Sequence, residues 1–237
     1  MTVQSEIDPK TGQPVGLPVA NPAPGPRPGP VTLEGRYGRV ERLAQRHGKD
    51  LWEAVQGGDT LWTYMSSYGP FPDLQTFSKW VGSRPPLEDP YSYAIVEPSG
   101  RAVGISTLME IKPAMRCIEV GHIVYTPLLQ RTRLATEAQY LLAKYVFETL
   151  GYRRYEWKCN ALNAPSWRAA LRYGFVYEGT LRQHMIAKGR NRDTAYFSML
   201  DSEWPARKAA FERWLAPDNF DGDGRQKTSL AALNVKA

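Results

Sequence analysis

The sequence is poor in cysteine: Cys117 and Cys159 are its only two, they form no CxxC spacing, and no secretory signal stands ahead of them. A disulfide framework and a zinc site therefore lack support, no metal is expected, and a reducing, cytoplasmic setting follows. No stretch approaches the roughly 18 apolar residues that cross a bilayer, and the N-terminus lacks a charged-then-apolar targeting pattern, so no membrane partner is expected. The tripeptide G-K-[ST] is missing, which excludes a Walker-type nucleotide loop. Lysine and arginine outnumber the acids by 30 to 24, but they are scattered, with no recognition-helix or stacking motif, so nucleic acid is not the expected partner. The net +6 suits an anionic partner, and a cofactor with several phosphates would serve as well as a polynucleotide.

What is present is enough apolar residue, 42% of the chain, to build one substantial core. Eight of the 19 prolines fall before Val31, so residues 1–30 read as a flexible Pro/Gly-rich arm without packed helix or strand. After Pro217 the chain turns polar and Gly/Asp-rich, so residues 217–237 read as a loose tail and residues 31–216 as the folded domain. Within it, Lys49 to Gln56 and Asp73 to Val81 read as short helices, with Asp73 as N-cap of the second. Tyr91 to Val96 and Ala102 to Leu108 flank a Pro-Ser-Gly turn and predict a hairpin, and Ile118 to Tyr125 predicts a further strand stopped by Pro127. Apolar residues at helical spacing between Leu134 and Leu150 predict the strongest helix. A strand at Arg154 to Cys159, a helix from Ala164 to Tyr173 closed by Gly174, strands at Val176 to Ile186 and Asp193 to Leu200, and a helix from Glu203 to Leu215 complete the pattern. The fold class is α/β (α+β): a mixed, mostly antiparallel sheet flanked by helices.

Two segments carry chemistry. Gln130-Arg131-Thr132-Arg133-Leu134-Ala135-Thr136 joins a strand to the start of the strongest helix, where unpaired N–H groups and the positive end of the helix dipole favour a phosphate. Arg131 and Arg133 would add charge-assisted bonds, although a basic solvated loop would read the same way. The second segment sets Asn163 and Ser166 as N-x-x-S at a helix start, followed by Gly174-Phe175 and, three residues on, Glu178-Gly179. In that order the two segments resemble the GNAT superfamily of N-acetyltransferases, in its RimJ/RimL-like branch, over roughly Val31 to Leu215. One position departs: Arg133 stands where the family's phosphate loop carries a glycine, so its side chain must point outward or the cofactor must shift.

The resemblance implies acetyl-CoA as co-substrate, with the pantetheine arm between the Ile118–Tyr125 and Arg154–Cys159 strands, held by backbone groups of Ile123 and Tyr125. The loop from Gln130 to Thr136 would take the pyrophosphate, with Asn163 and Ser166 near the thioester. Direct attack by an amine needs a base and an acid, and Glu119 and Ser166 are the candidates. Glu119 also fits the solvent side of a strand, and Ser166 and Asn163 also fit a helix cap. Strict alternation puts His122 on the strand face opposite Glu119, as a packed histidine. The aromatics Trp52, Trp62, Tyr64, Tyr68 and Phe71 read chiefly as core of the region covering the acceptor site. The acceptor is a primary amine, either a protein N-terminus or a small molecule; a non-catalytic acetyl-CoA sensor or scaffold is the alternative, and homodimerisation stays open.

Overall fold

A computed structural model describes residues 4–235. Its frame is an eight-stranded sheet in the order β3-β4-β5-β6-β7-β8-β10-β9. The strands are β3 (Thr32–Glu34), β4 (Arg39–Arg42), β5 (Tyr91–Val96), β6 (Ala102–Lys112), β7 (Cys117–Tyr125), β8 (Arg154–Asn160), β9 (Val176–Ala187) and β10 (Arg190–Leu200). Every neighbouring pair is antiparallel except β7 with β8. The mixed, mostly antiparallel sheet is thus the one expected.

Two helical layers cover the sheet, and every residue of β5 is buried between them. On one face α1 (Gly48–Val55) and α2 (Leu74–Gly82) place Leu51, Val55, Phe77 and Val81 against Ala94, Ile105 and Val124. The side chain of Asp73 caps α2 by accepting the Thr76 N–H at 2.7 Å. On the other face lie α3 (Arg133–Lys144), α4 (Ala164–Arg172) and α5 (Trp204–Leu215), packed on Ile118, Val120, Tyr155, Trp157 and Phe197. The predicted helix to Leu150 is α-helical only as far as Lys144; Tyr145–Thr149 winds as a π turn. Tyr145, Val146 and Phe147 in this turn are all buried.

Both ends of the chain carry more structure than their composition suggests. A two-stranded hairpin of β1 (Ser5–Ile7) and β2 (Pro14–Gly16) is exposed, but residues 23–29 run along the body. There Gly25 N–H donates to Pro113 O, Arg116 Nε to Ala23 O, Gly29 N–H to Tyr145 Oη, and Tyr93 Oη to Gly29 O. At the other end, the segment expected as a loose tail holds a short helix, α6 (Leu230–Val235), with Leu230 fully buried. Asn219, also fully buried, organises the turn: its Nδ2 donates to Trp214 O and Thr228 O, and its Oδ1 accepts the Thr228 N–H. A polar composition hid these contacts because a few anchored side chains suffice to dock a segment whose other residues face water.

Candidate active site

The parallel pairing of β7 with β8 starts at Cys117–Arg154 and stops at Val120–Trp157, although β7 continues to Tyr125 and β8 to Asn160. The cause is local. His122 adopts a left-handed backbone (φ 47°), and the β6–β7 register shifts between Thr107–Gly121 and Ile105–Val124, which is a β-bulge. Beyond it Ile123 and Tyr125 are separated from β8 and border an opening between the strands. The bulge also changes the reading of His122. Its ring meets Tyr68 edge-to-face at 5.4 Å, and Tyr68 packs with the α1/α2 cluster, so His122 lies on the face that carries Glu119 and not opposite it. Burial, then the charges of Arg84 and Arg192, hold its imidazole below the ordinary range.

At one end of the opening stands the N-terminus of α3. Thr132 is its cap: Oγ1 accepts the Ala135 N–H at 3.1 Å and donates to Leu129 O at 2.7 Å. The earlier first-turn N–H groups, at Arg133 and Leu134, have no intrahelical acceptor and face outward. Arg131 is exposed with a left-handed backbone (φ 62°), a turn that directs successive N–H groups to one side. Gln130 Nε2 donates to Tyr125 O at 2.8 Å, which fastens the loop to the free edge of β7. The Tyr125 side chain turns to the helical layer, where its hydroxyl donates to Ala135 O and accepts from Gln139 Nε2. Thr136 Oγ1 accepts from Arg172 Nη1. The guanidinium of Arg133 leaves the loop altogether and lies 3.9 Å from the Phe220 ring centroid and 5.5 Å from that of Tyr37.

Glu119 is buried on the α1/α2 face and accepts from Lys158 Nζ at 3.0 Å. Lys158 Nζ is shared with Glu156 at 3.0 Å, Arg154 Nε holds Glu156 at 2.7 Å, and Arg154 reaches on to Glu178. Burial raises the Glu119 carboxyl to about 7, opposed by the Lys158 ammonium. Glu156 is buried too, but Arg154 and Lys158 together hold it down to about 2. Two neighbouring carboxylates thus share one lysine and divide into a permanent anion and a group that exchanges its proton near neutrality. A Cβ on Gly121 would come 2.5 Å from Met109 Sδ and 3.1 Å from Glu119 Oε1, so the bare glycine leaves room beside the carboxyl.

Across the strands, Asn163 caps α4: its Oδ1 accepts the Ser166 N–H at 3.2 Å. The cap role therefore belongs to Asn163, and the Ser166 hydroxyl is free of it. Ser166 Oγ instead accepts from Trp157 Nε1 at 3.0 Å, which leaves its own proton available to a third group. Among the described residues no group of three or more His, Cys, Asp and Glu is placed to hold a metal ion, and both cysteines are free and buried.

Residues 41–176 match the family model for the acetyltransferase (GNAT) domain. A GCN5-related N-acetyltransferase from Brucella melitensis is 46% identical, with a TM-score of 0.86 over 90% of this chain and 98% of its own. The chain belongs to the GNAT acetyltransferases. A protein from Chromobacterium violaceum ATCC 12472 named as a probable acetyltransferase of the GNAT family is 41% identical, with a TM-score of 0.76 over 82% of this chain and 98% of its own. The ribosomal L7/L12 alpha-N-protein acetyltransferase RimL, 18% identical over 72% of this chain and 94% of its own with a TM-score of 0.62, shares the fold. No curated protein matches the sequence.

For a GNAT chain, the sequence reading passed over Lys158, Arg192 and the position of His122. Lys158 had a signal: Arg154, Glu156 and Lys158 alternate with Tyr155, Trp157 and Cys159, which marks a charged strand face. The outward course of Arg133 carries a prediction of its own. Arg133→Gly, which restores the glycine usual in GNAT loops, should remove the contact with Phe220 and lower the melting temperature by a few degrees, from roughly 1–2 kcal/mol of lost cation–π and helix propensity. An unchanged melt would show that the stacking contributes nothing.

Proposed function

We propose that this GNAT enzyme transfers the acetyl group of acetyl-CoA to a primary amine, a protein N-terminus or a small molecule, by direct attack. The observation that carries the reading is the opening between β7 and β8, which has free helix N–H groups at one end and a titratable buried carboxyl on one face. The residues fit the co-substrate. The α3 N-terminus with Arg131 suits a pyrophosphate, and the separated backbone of Ile123 and Tyr125 suits the amides of a pantetheine arm. Bound acetyl-CoA would supply an activated acetyl thioester. Glu119 would accept, directly or through one water, the proton that the amine nitrogen loses as its C–N bond forms. The Ser166 hydroxyl, oriented by Trp157, would give a proton to the sulfur as the C–S bond breaks. RimL, named for acetylation of a protein α-amine, is one reason to test N-terminal peptides beside small amines.

The test is thiol release from acetyl-CoA against a panel of primary amines and peptides, with the acetylated product weighed by mass spectrometry. Absence of amine-dependent thiol release across the panel would overturn the reading. Two variants refine it. Arg131→Ala should weaken CoA by roughly tenfold or more in calorimetry, the loss of a bond to a charged group. Ser166→Ala should lower kcat per folded molecule by roughly 10²-fold with CoA affinity nearly unchanged. It should also lower the melting temperature, because the Trp157 N–H is left without its acceptor at a cost of about 1–3 kcal/mol. Intact turnover beside the lowered melt would restrict Ser166 to a structural role.

A further inference from the structure

The face that carries Glu119 is walled by cations with no anions of their own. The loop between α1 and α2 meets the β9–β10 hairpin there: Lys188 Nζ donates to Trp62 O at 2.8 Å and Gly69 O at 2.7 Å, and Arg192 Nη1 bonds Ser66 Oγ. Arg192 stands on β10 two residues before Thr194, which pairs with Asn160 at the end of β8, and its charge and that of Arg84 both help to hold the His122 imidazole down. Arg84 reaches only Ser83 Oγ and the Trp80 ring. Among the described residues none of Arg84, Lys188 and Arg192 forms an ion pair with a carboxylate, whereas Lys158 on the same face is shared by two. Three donors in this wall, Arg192 Nε, Tyr68 Oη and Trp80 Nε1, are buried without a hydrogen-bond partner.

Buried donors left unpaired cost free energy, so such an arrangement suits a ligand that supplies the missing acceptor and a balancing negative charge. We propose that the amine acceptor of this enzyme carries a carboxylate, and that Arg192, assisted by Arg84 and Tyr68, binds it. The proposal rests on the acetyl-transfer reading for the identity of the site. Guanidinium matches a carboxylate in shape as well as charge, since its N–H groups form parallel bonds to two oxygens. The same positive wall disfavours polycationic acceptors and lowers the proton affinity of an amine held beside it, which raises the fraction present as the neutral nucleophile. The carboxylate has two sources, the α-carboxylate of a free amino acid or the side chain of an acidic residue near a peptide N-terminus.

The experiment compares matched pairs: an amino acid with its amide, and an N-terminal Glu peptide with its Gln counterpart. Binding is read by calorimetry in the presence of CoA, and turnover by thiol release. The expected result is a preference for the anionic member of at least one pair by roughly tenfold to a hundredfold, the range for bonds to a charged group, which falls close to unity in Arg192→Met or Arg84→Met. The pair that shows the preference names the source. Equal binding of both members of both pairs, or a preference that survives in both variants, would overturn the proposal. Failure of acetyl transfer itself is separate: it appears as absent thiol release, while the calorimetric ratio still decides the carboxylate. The two variants lie on different elements, so a folding defect in one leaves the other as the test.

Discussion

Glu119→Gln is expected to lower kcat/KM by roughly 10²- to 10⁴-fold, the range supplied by a positioned base, and to erase the acid limb of the pH profile. Burial raises the carboxyl to about 7, so the proton-accepting form populates only above that value. In the wild-type enzyme kcat/KM should therefore climb with pH through about 7 and then level off. Glutamine keeps the size of the side chain and an acceptor for Lys158, and Glu156 continues to neutralise that lysine, so the fold should persist. The shift also has a stability consequence of one sign. A carboxyl that holds its proton more tightly in the folded than in the unfolded chain contributes stability below the ordinary Glu value of about 4.3, and loses it as pH rises through about 7. The wild-type protein should accordingly lose stability relative to the Gln variant over that interval. A pH–rate profile with the same limb in both proteins would place the base elsewhere.

Deleting residues 217–237 should have the largest effect on stability. The truncation uncovers Trp214, which packs on Phe220 and bonds Gln226, and removes buried Leu230 and the buried Asn219 turn. It also takes the Asn234 carbonyl from Arg207 and the Asn234 amide from the Arg172 carbonyl. Burial of a large apolar side chain contributes about 1.5–3 kcal/mol, so the loss amounts to several kcal/mol, against a typical total of about 5–15 kcal/mol. The melting temperature should fall by on the order of 10 °C, or the chain should fail to fold. Deleting residues 1–16, the exposed hairpin, should move it by only a few degrees. Equal melts for the two truncations, read by circular dichroism, would show that the C-terminal contacts add little.

What could be read from the sequence follows from how local each cause is. The Asp73 cap, the β5–β6 hairpin and the spacing in α3 are written in neighbouring residues, and the structure has all three. The short strands β3 and β4 escape notice because, at three and four residues, they are too short for a period of two to show. The bulge at His122 is a single backbone deviation that no periodicity reports, yet it moves a side chain from one face to the other. Glu119 and Ser166 were legible as candidates. The chain from Glu119 through Lys158 to Glu156 was not, because it depends on the β7–β8 register, which no single segment contains.

The position of Arg133 bears on how such chains are to be recognised. A pattern that demands glycine at the position of Arg133 would discard this sequence, although the arginine there points away from the loop. The information displaced from that position resurfaces 87 residues later, as the aromatic ring of Phe220 that receives the guanidinium. Residues 133 and 220 thus form a linked pair of letters. Across aligned relatives, an aromatic at the second should accompany arginine at the first and be dispensable beside glycine, so a search profile that scores the two jointly would separate this architecture from chains whose loop has simply decayed.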